Sequence, residues 1–150
     1  MIRGYTNTDL VCTARVWLRS GQAEYHYLKA FQELNEKKAI DVFRCCIQDK
    51  CEIWVYETKE GIIGFMAMNA SLVDRLYVDP KNQGMGVGSK LINYAKTQHP
   101  TGLSLRTHQQ NKRARAFYEG RGFVAVSYGL SPPPESMPDM EYYWSSDECT

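Results

Sequence analysis

A glycine-rich segment places a tight loop between a strand and a helix in this 150-residue chain. The segment is QGMGVGS, residues 83–89, with Gly84, Gly86 and Gly88 at alternate positions. It follows the strand-like run LYVDP and precedes the run KLINYAK, whose apolar residues have helical spacing. Glycines in such a loop let backbone N–H groups approach a phosphate, and the helix dipole favours the anion. The segment therefore predicts a phosphate-bearing ligand.

Three phosphate-binding patterns can be compared with this segment letter by letter. A P-loop requires Gly-Lys-Ser/Thr, whereas Gly88 is followed directly by Ser89. A dinucleotide-binding GxGxxG requires a third glycine where the chain has Ser89 or Leu91. A third pattern, Gln/Arg-x-x-Gly-x-Gly/Ala, fits Gln83, Gly86 and Gly88. A nucleotide-binding domain is therefore disfavoured.

The hydrophobic period along the rest of the chain predicts the order β-α-α-β-β-β-α-β-α-β-β. Helical spacing runs from Asp9 to about Ser20, with Thr8 as the expected N-cap. The runs CEIWVYET, GIIGFMAM and LVDRLYV, separated by KEG and NAS, indicate an antiparallel meander. We expect a single α/β (α+β) domain, residues 1–144, with a short tail, residues 145–150. Its sheet is mixed and largely antiparallel, with helices on both faces.

Composition narrows the possible partners and the compartment. With 43% hydrophobic residues and a net charge of +1, nothing favours nucleic acid or a membrane as the main partner. The N-terminal residues lack the pattern of a signal peptide, and the longest apolar run is far shorter than the about 20 residues that span a bilayer. Five cysteines without CxxC spacing predict reduced thiols, and three scattered histidines predict no metal site. A cytoplasmic monomer or homodimer is expected.

Downstream residues add a second motif. Asn111 is followed by AFYE, residues 116–119, and then by Gly122-Phe123. Together with LYVDP and the glycine-rich loop, this pattern, N-x₄-AFYE-x₂-GF, resembles the GNAT N-acetyltransferase superfamily. The resemblance covers most of the chain from about residue 51 and is weak over residues 22–50, where such families vary their acceptor sites.

The resemblance implies acetyl-CoA, or another short acyl-CoA, as co-substrate and an amine on a small molecule or peptide as acceptor. The backbone of Leu76, Tyr77 and Val78 would pair with the pantetheine arm, in a slot formed by splaying this strand from LSLRT. An amide near Val78 would stabilise the oxyanion. The pyrophosphate would bind the main chain of a loop that Gln83 helps to fix, comprising Gly84, Met85, Gly86, Val87, Gly88 and Ser89. Asn111 would contact the cofactor or simply cap its helix.

The resemblance also implies a general acid and leaves the general base open. Tyr118 would lie near the sulfur and protonate the thiolate, whereas the residues alone favour a core aromatic. In several relatives the base is a glutamate on the strand that corresponds to LSLRT, and the equivalent position here is Ser104, so the resemblance assigns no carboxylate base and transfer through water stays open. Asp74, which strand alternation places on one face with Leu76 and Val78, is the first candidate; an ion pair with a basic neighbour is the alternative. His108 is the second candidate, although a surface loop is the more ordinary setting for it.

These features predict an enzyme that transfers an acetyl group to a primary amine by direct attack in a ternary complex. The motifs assign no cysteine as an acyl carrier. The candidates for the acceptor side are Trp17, Tyr25, His26 and Tyr27, although core packing also accounts for Trp17. The proline-rich loop SPPPESMP is either another wall of that site or only a stiff connection between strands. The alternative function is a catalytically degenerate acyl-CoA-binding regulatory module, which the retained loop and Tyr118 argue against.

Overall fold

The computed structural model describes residues 1–133 and 136–146. These residues contain seven strands and five helices, in an order that matches the predicted one except for one additional short helix. The strands are β1 (Ile2–Gly4), β2 (Glu52–Thr58), β3 (Gly61–Asn69), β4 (Leu72–Val78), β5 (Leu103–His108), β6 (Val124–Leu130) and β7 (Pro138–Trp144). The helices are α1 (Leu10–Glu24), α2 (Lys29–Gln32), α3 (Glu36–Phe43), α4 (Val87–Gln98) and α5 (Lys112–Glu119).

The strands form one sheet in the order β1-β2-β3-β4-β5-β7-β6. β4 and β5 pair in parallel, with Leu72 opposite Ser104 and Val73 opposite Leu105. The pairs β1–β2, β2–β3, β5–β7 and β6–β7 are antiparallel. The predicted mixed and largely antiparallel sheet is therefore confirmed.

The described residues divide into two compact units. The first comprises Met1–Asn69 and Asp74–Tyr94, and the second comprises Ala70–Val73 and the described residues from Ala95 onward. In the first unit, an apolar cluster fills the space between α1, α3 and one face of the sheet. Its buried members are Ala14, Val16, Trp17, Ala39, Phe43, Ile47, Ile53, Val55, Phe65, Ala67 and Tyr77. The Phe43 ring joins the helices to the sheet, because it contacts Trp17 at 6.2 Å and Phe65 at 5.4 Å between centroids.

The start of α4 packs against the opposite face of the same strands. A Cβ atom on Gly64 would lie 3.1 Å from Cγ1 of Val87 and 3.2 Å from the carbonyl oxygen of Tyr77. The glycine therefore lets the first turn of α4 approach β3 closely. Trp54 on β2 contacts Tyr94 of α4 at 5.6 Å between ring centroids. Helices thus cover both faces of the sheet in this unit, as predicted.

In the second unit, α5 and the end of α4 pack with aromatic residues of the last strands. Tyr142 is fully buried, and its hydroxyl donates to the Glu119 carboxylate at 2.5 Å. Lys96 Nζ donates to the carbonyl of Arg121 at 2.6 Å and lies 4.8 Å from the Trp144 ring centroid. Burial and the charge of Arg121 together lower the pKa of Lys96.

The structure corrects the prediction for the N-terminal third of the chain. The N-cap of α1 is Asp9, not Thr8, because a short 3₁₀ turn, Asn7–Asp9, precedes the helix. Thr6 is the N-cap of that turn, and its amide donates to the Asp9 carboxylate at 2.9 Å. Helix α1 continues to Glu24, and the unpredicted α2 follows within the aromatic stretch. Helix α3 runs into a π-helical turn, Arg44–Gln48. Residues 134–135 of the proline-rich loop and 147–150 of the predicted tail lie outside the described residues.

None of the described helices combines the length and the apolar character needed to cross a membrane.

The close approach at Gly64 makes a specific prediction about stability. The substitution Gly64→Val should destabilise the protein by about 1–3 kcal/mol, because the new side chain would meet Val87 and the Tyr77 backbone in a packed interface. Thermal unfolding followed by circular dichroism measures the effect. Gly4→Val is the matched control, since Gly4 is also a strand glycine and a Cβ atom added to it would meet no heavy atom within 4 Å. Equal melting temperatures for the two variants would contradict this prediction.

Candidate active site

The end of β4 is held by two side chains that converge on one carbonyl. The Val78 oxygen accepts from Ser20 Oγ at 2.9 Å and from Gln83 Nε2 at 3.0 Å. Gln83 thereby ties the glycine-rich loop to the strand that precedes it. Because both lone pairs of this carbonyl are engaged, Val78 can offer a pantetheine arm or an oxyanion only its amide.

The next residue anchors the same turn more firmly. The Asp79 carboxylate is buried and accepts from Arg19 Nε at 2.9 Å and from the Lys81 amide at 3.1 Å. Its own amide donates to the carbonyl of Ile63 at 2.8 Å. The sequence predicts Asp79 only as the end of a strand, although Asp before Pro is also an N-cap signal. The contributions of Arg19 and Ser20 depend on how α1 packs, and no local pattern reveals them.

The loop itself has the backbone geometry that its glycines allow. Gly84 and Gly86 have φ values of +84° and +83°, a region that other residues rarely adopt. A Cβ atom on either glycine would meet no heavy atom within 4 Å, so the space above the backbone is open. Helix α4 begins at Val87, and the Lys90 amide donates to the Gly86 carbonyl at 3.0 Å. Amides in the first turn of a helix lack intrahelical partners, so this end can bind an anion such as pyrophosphate.

The side chains of the glycine-rich loop and of β4 range from solvent-exposed to buried in the core. Met85 is 63% exposed, whereas Val87 is buried against the sheet. Tyr77 is buried and stacks on Phe65 at 5.7 Å, and burial raises the pKa of its hydroxyl to about 12. Tyr77 is thus a core residue, and only its backbone could serve a ligand. Leu76 is half-buried.

Asp74, the first candidate for the base, has an ionic neighbour. Its Oδ2 lies 3.6 Å from Nε of Arg75 and 3.7 Å from Sγ of Cys51. The ion pair weighed as the alternative is therefore present, at a distance longer than a hydrogen bond. Burial, followed by the charge of Asp74, raises the pKa of the Cys51 thiol to about 11. A thiol with that pKa is protonated at neutral pH and is a poor nucleophile.

The second unit contains the downstream motif residues. Asn111 is buried and caps α5, because its side chain accepts from the Ala114 amide at 3.1 Å. Tyr118 is half-buried, and its ring lies 5.1 Å from Phe117, 5.6 Å from Phe123 and 6.3 Å from Tyr142. Asn111 is thus a helix cap, and Tyr118 packs among aromatic rings. A contact of either residue with a ligand stays a prediction.

The expectation for His108 as a surface loop residue is wrong. His108 is buried and lies in β5, opposite Asp139 of β7. Asp139 is also buried and receives two hydrogen bonds from Arg106, at 3.1 and 2.9 Å. Ser104 lies on the same strand, opposite Tyr143. Among the described residues, no group of three histidine, cysteine or acidic side chains could hold a metal ion.

Comparison with known proteins adds independent findings. The acetyltransferase (GNAT) domain family matches residues 49–125, about half of the chain. The peptidyl-lysine N-acetyltransferase YiaC from Escherichia coli is 28% identical over 127 residues, which cover 84% of each chain. The solution structure of apo YjaB from Escherichia coli is 24% identical, with a TM-score of 0.80 over 96% of each chain.

A further solved structure comes from Thermoplasma acidophilum. It is the paiA N-acetyltransferase in complex with coenzyme A, with 20% identity, a TM-score of 0.66 and coverage of 94% of this chain and 96% of that chain. These structures share the fold described above. With the family match over residues 49–125, the chain belongs to the GNAT acetyltransferase family, and it is an enzyme that transfers an acetyl group to an amine.

Proposed function

We propose that this protein transfers the acetyl group of acetyl-CoA directly to the side-chain amine of a lysine in a protein or peptide. The observation that carries the proposal is the glycine-rich loop, which opens α4 with two glycines at positive φ and open space above them. The choice of lysine is supported by the similarity to YiaC, a peptidyl-lysine N-acetyltransferase.

In this proposal, acetyl-CoA binds to the loop through main-chain amides of residues 84–89, with Gln83 holding the loop to β4. The backbone of Leu76–Val78 supports the pantetheine arm, and Asn111 lies toward the cofactor at the start of α5. The paiA relative has coenzyme A bound in its structure, which supports the same co-substrate here.

The reaction exchanges a C–S bond for a C–N bond and moves three protons. The ammonium loses one proton, and the neutral amine then attacks the thioester carbonyl carbon to form the C–N bond. The nitrogen of the tetrahedral intermediate loses a second proton to solvent, the C–S bond breaks as the oxyanion collapses, and the departing thiolate takes up the third proton. In the proposal, the Val78 amide stabilises the oxyanion, Asp74 accepts the proton that the ammonium loses, and Tyr118 donates a proton to the departing thiolate.

Direct transfer is favoured over an acetyl-cysteine intermediate. Cys51 contacts the Asp74 carboxylate, but its thiol pKa of about 11 leaves almost no thiolate at neutral pH. The charges of Arg75 and Lys50 lower the pKa of this thiol, but burial and the Asp74 carboxylate raise it by more.

The proposed acceptor side has an aromatic surface. The Tyr25 ring lies 6.0 Å from Tyr27 and 5.8 Å from Phe31, and His26 contacts Tyr27 at 5.5 Å. Aromatic faces pack well against the methylene stem of a lysine and attract its ammonium group. We place the reaction in the cytoplasm, because the four cysteines within the described residues are free thiols, as a reducing compartment keeps them. A role without nucleic acid or membrane stays a prediction, as does the choice between monomer and homodimer.

The cofactor assignment predicts a thermal shift that depends on Gly86. At 100 times its dissociation constant, CoA should stabilise the wild type by about 2.7 kcal/mol, whereas ATP at the same concentration should do much less. Gly86→Val should lose the CoA effect, because a side chain would occupy the open space above the loop. Gly61→Val is the matched control, since Gly61 also has positive φ and open space but lies at the start of β3, directly after the β2–β3 turn. Equal shifts with CoA and ATP would overturn the assignment.

The role of Tyr118 predicts a loss of turnover without a loss of binding. Tyr118→Phe should lower kcat by about 100-fold or less, since general acids contribute about 10²–10⁴ and a thiolate is already a fair leaving group. Affinity for CoA should be unchanged. Tyr128→Phe, on an exposed tyrosine, is the control. If Tyr118 is only a packing residue, turnover will stay constant where chemistry limits the rate, and the melting temperature alone will fall, by the equivalent of about 1 kcal/mol for a lost hydrogen bond.

The acceptor class is tested with lysine peptides. CoA release should be detected with a peptide that contains one internal lysine, and mass spectrometry should locate the added acetyl group on Nζ. The same peptide with arginine in place of lysine should give no release. Acetyl-CoA binding without transfer to any amine in a broad panel would instead support the regulatory-module alternative.

A further inference from the structure

Arg75 is a cation whose hydrogen-bonding capacity is incompletely used. Its Nε atom is buried and makes no hydrogen bond to any described residue. The carboxylate beside it belongs to Asp74, at 3.6 Å from Nε, beyond hydrogen-bond distance. Two other arginines have close carboxylates: Arg106 binds Asp139 at 3.1 and 2.9 Å, and Arg3 binds Asp9 at 2.8 and 2.9 Å.

The other groups that act electrostatically on Arg75 do not replace a carboxylate. They are the hydroxyl of Tyr77, which also forms a hydrogen bond with the Arg75 side chain, and the hydroxyl of Tyr25. Burial keeps the pKa of Tyr77 at about 12, so that hydroxyl is neutral at physiological pH. The Asp74 carboxylate oxygen that faces Arg75 also contacts the Cys51 thiol, at 3.7 Å. Of the five N–H donors of the guanidinium, the one on Nε is buried and Tyr77 engages another, but the side chain is 35% exposed, so the remaining donors have room for an anionic partner.

The location of Arg75 restricts what that partner can be. Arg75 follows the proposed base Asp74 directly and precedes Leu76–Val78, the proposed support of the pantetheine arm. The two side chains are similarly accessible, 35% exposed for Arg75 and 33% for Asp74. Strand alternation starts the two side chains on opposite faces, but Nε of Arg75 lies 3.6 Å from Oδ2 of Asp74. An acceptor whose amine reaches Asp74 therefore brings its neighbouring groups within reach of the Arg75 guanidinium.

We propose that Arg75 binds a carboxylate carried by the acceptor and thereby selects amines that have a negative charge close to them. The proposal rests on the acetyl transfer proposed above. Two sources supply this chemistry: an aspartate or glutamate beside the target lysine in a peptide, and the α-carboxylate of a free amino acid. The planar guanidinium suits either, because it can donate two parallel hydrogen bonds to a carboxylate.

The experiment compares acceptors that differ only in this charge. One pair of lysine peptides carries glutamate or glutamine next to the lysine, and a second pair is a free amino acid and its amide. We expect kcat/KM to favour the charged member of one pair by about tenfold or more, the size of a charge-assisted hydrogen bond. Arg75→Gln should remove that preference, and Arg75→Lys should restore part of it. The pair that responds identifies the source.

Arg44→Gln is the matched control, because Arg44 is an exposed arginine paired with Asp41 and lies outside the proposed site. It should leave the preference unchanged. Circular dichroism separates folding from recognition, since a merely structural Arg75 would alter melting without altering the ratio between the paired acceptors. If Arg75→Gln lowers kcat/KM equally for charged and neutral acceptors, the proposal is wrong.

Failure of the proposed function gives a different result. In that case the wild type acetylates none of the four acceptors. Calorimetric titration of the same acceptors into the CoA-loaded protein still reports on Arg75, because it requires no acetyl transfer. Tighter binding of the charged acceptor that is lost in Arg75→Gln supports the role of Arg75, and equal affinities for charged and neutral acceptors overturn it.

Discussion

The buried carboxylate of Asp79 joins three segments on which the candidate cofactor site depends. The carboxylate receives a hydrogen bond from Arg19 of α1 and caps the turn that leads into the glycine-rich loop. The backbone amide of Asp79 donates to the carbonyl of Ile63 in β3. An isolated buried carboxylate would be strongly unfavourable, so these partners are needed together. Because Arg19 is 47% exposed, the ion pair itself contributes less than a fully buried one, and the Lys81 amide supplies part of the stabilisation.

The parts of the fold that depend on local sequence were predictable. Short β-branched and aromatic runs between turn-like segments identify β2 and β3, and the glycine pattern identifies both the loop and the helix that it opens. The short helix α2 was not predictable from the sequence. Its position depends on contacts of the Phe31 ring with Trp17 and Tyr25, and the residues around Phe31 carry no helical spacing that would indicate it. Tertiary contacts of this kind override propensity.

The candidate site likewise has one part that local sequence predicts and another that depends on tertiary contacts. The conformation of the glycine-rich loop follows from backbone requirements, so a few residues of the sequence predict it. The surroundings of Asp74 do not, because they arise from the contact of Cys51 and from the position of Arg75 on a strand whose register is set by its neighbours. For His108, the sequence suggested a loop, whereas pairing with β7 extends β5 through that residue and buries it. Whether a titratable residue is desolvated is decided by strand pairing, which single-residue patterns do not encode.

Because Gly64 has no side chain, it also restricts how the glycine-rich loop could be moved into another protein. An engineer who moved residues 83–90 into another sheet would carry over the glycines that shape the loop but not the close approach of Val87 to the strand beneath it. With an ordinary residue at the facing position, the helix would be lifted from the sheet and its amides would point away from their intended ligand. The transferable unit is therefore the loop together with a glycine some twenty residues earlier in the chain.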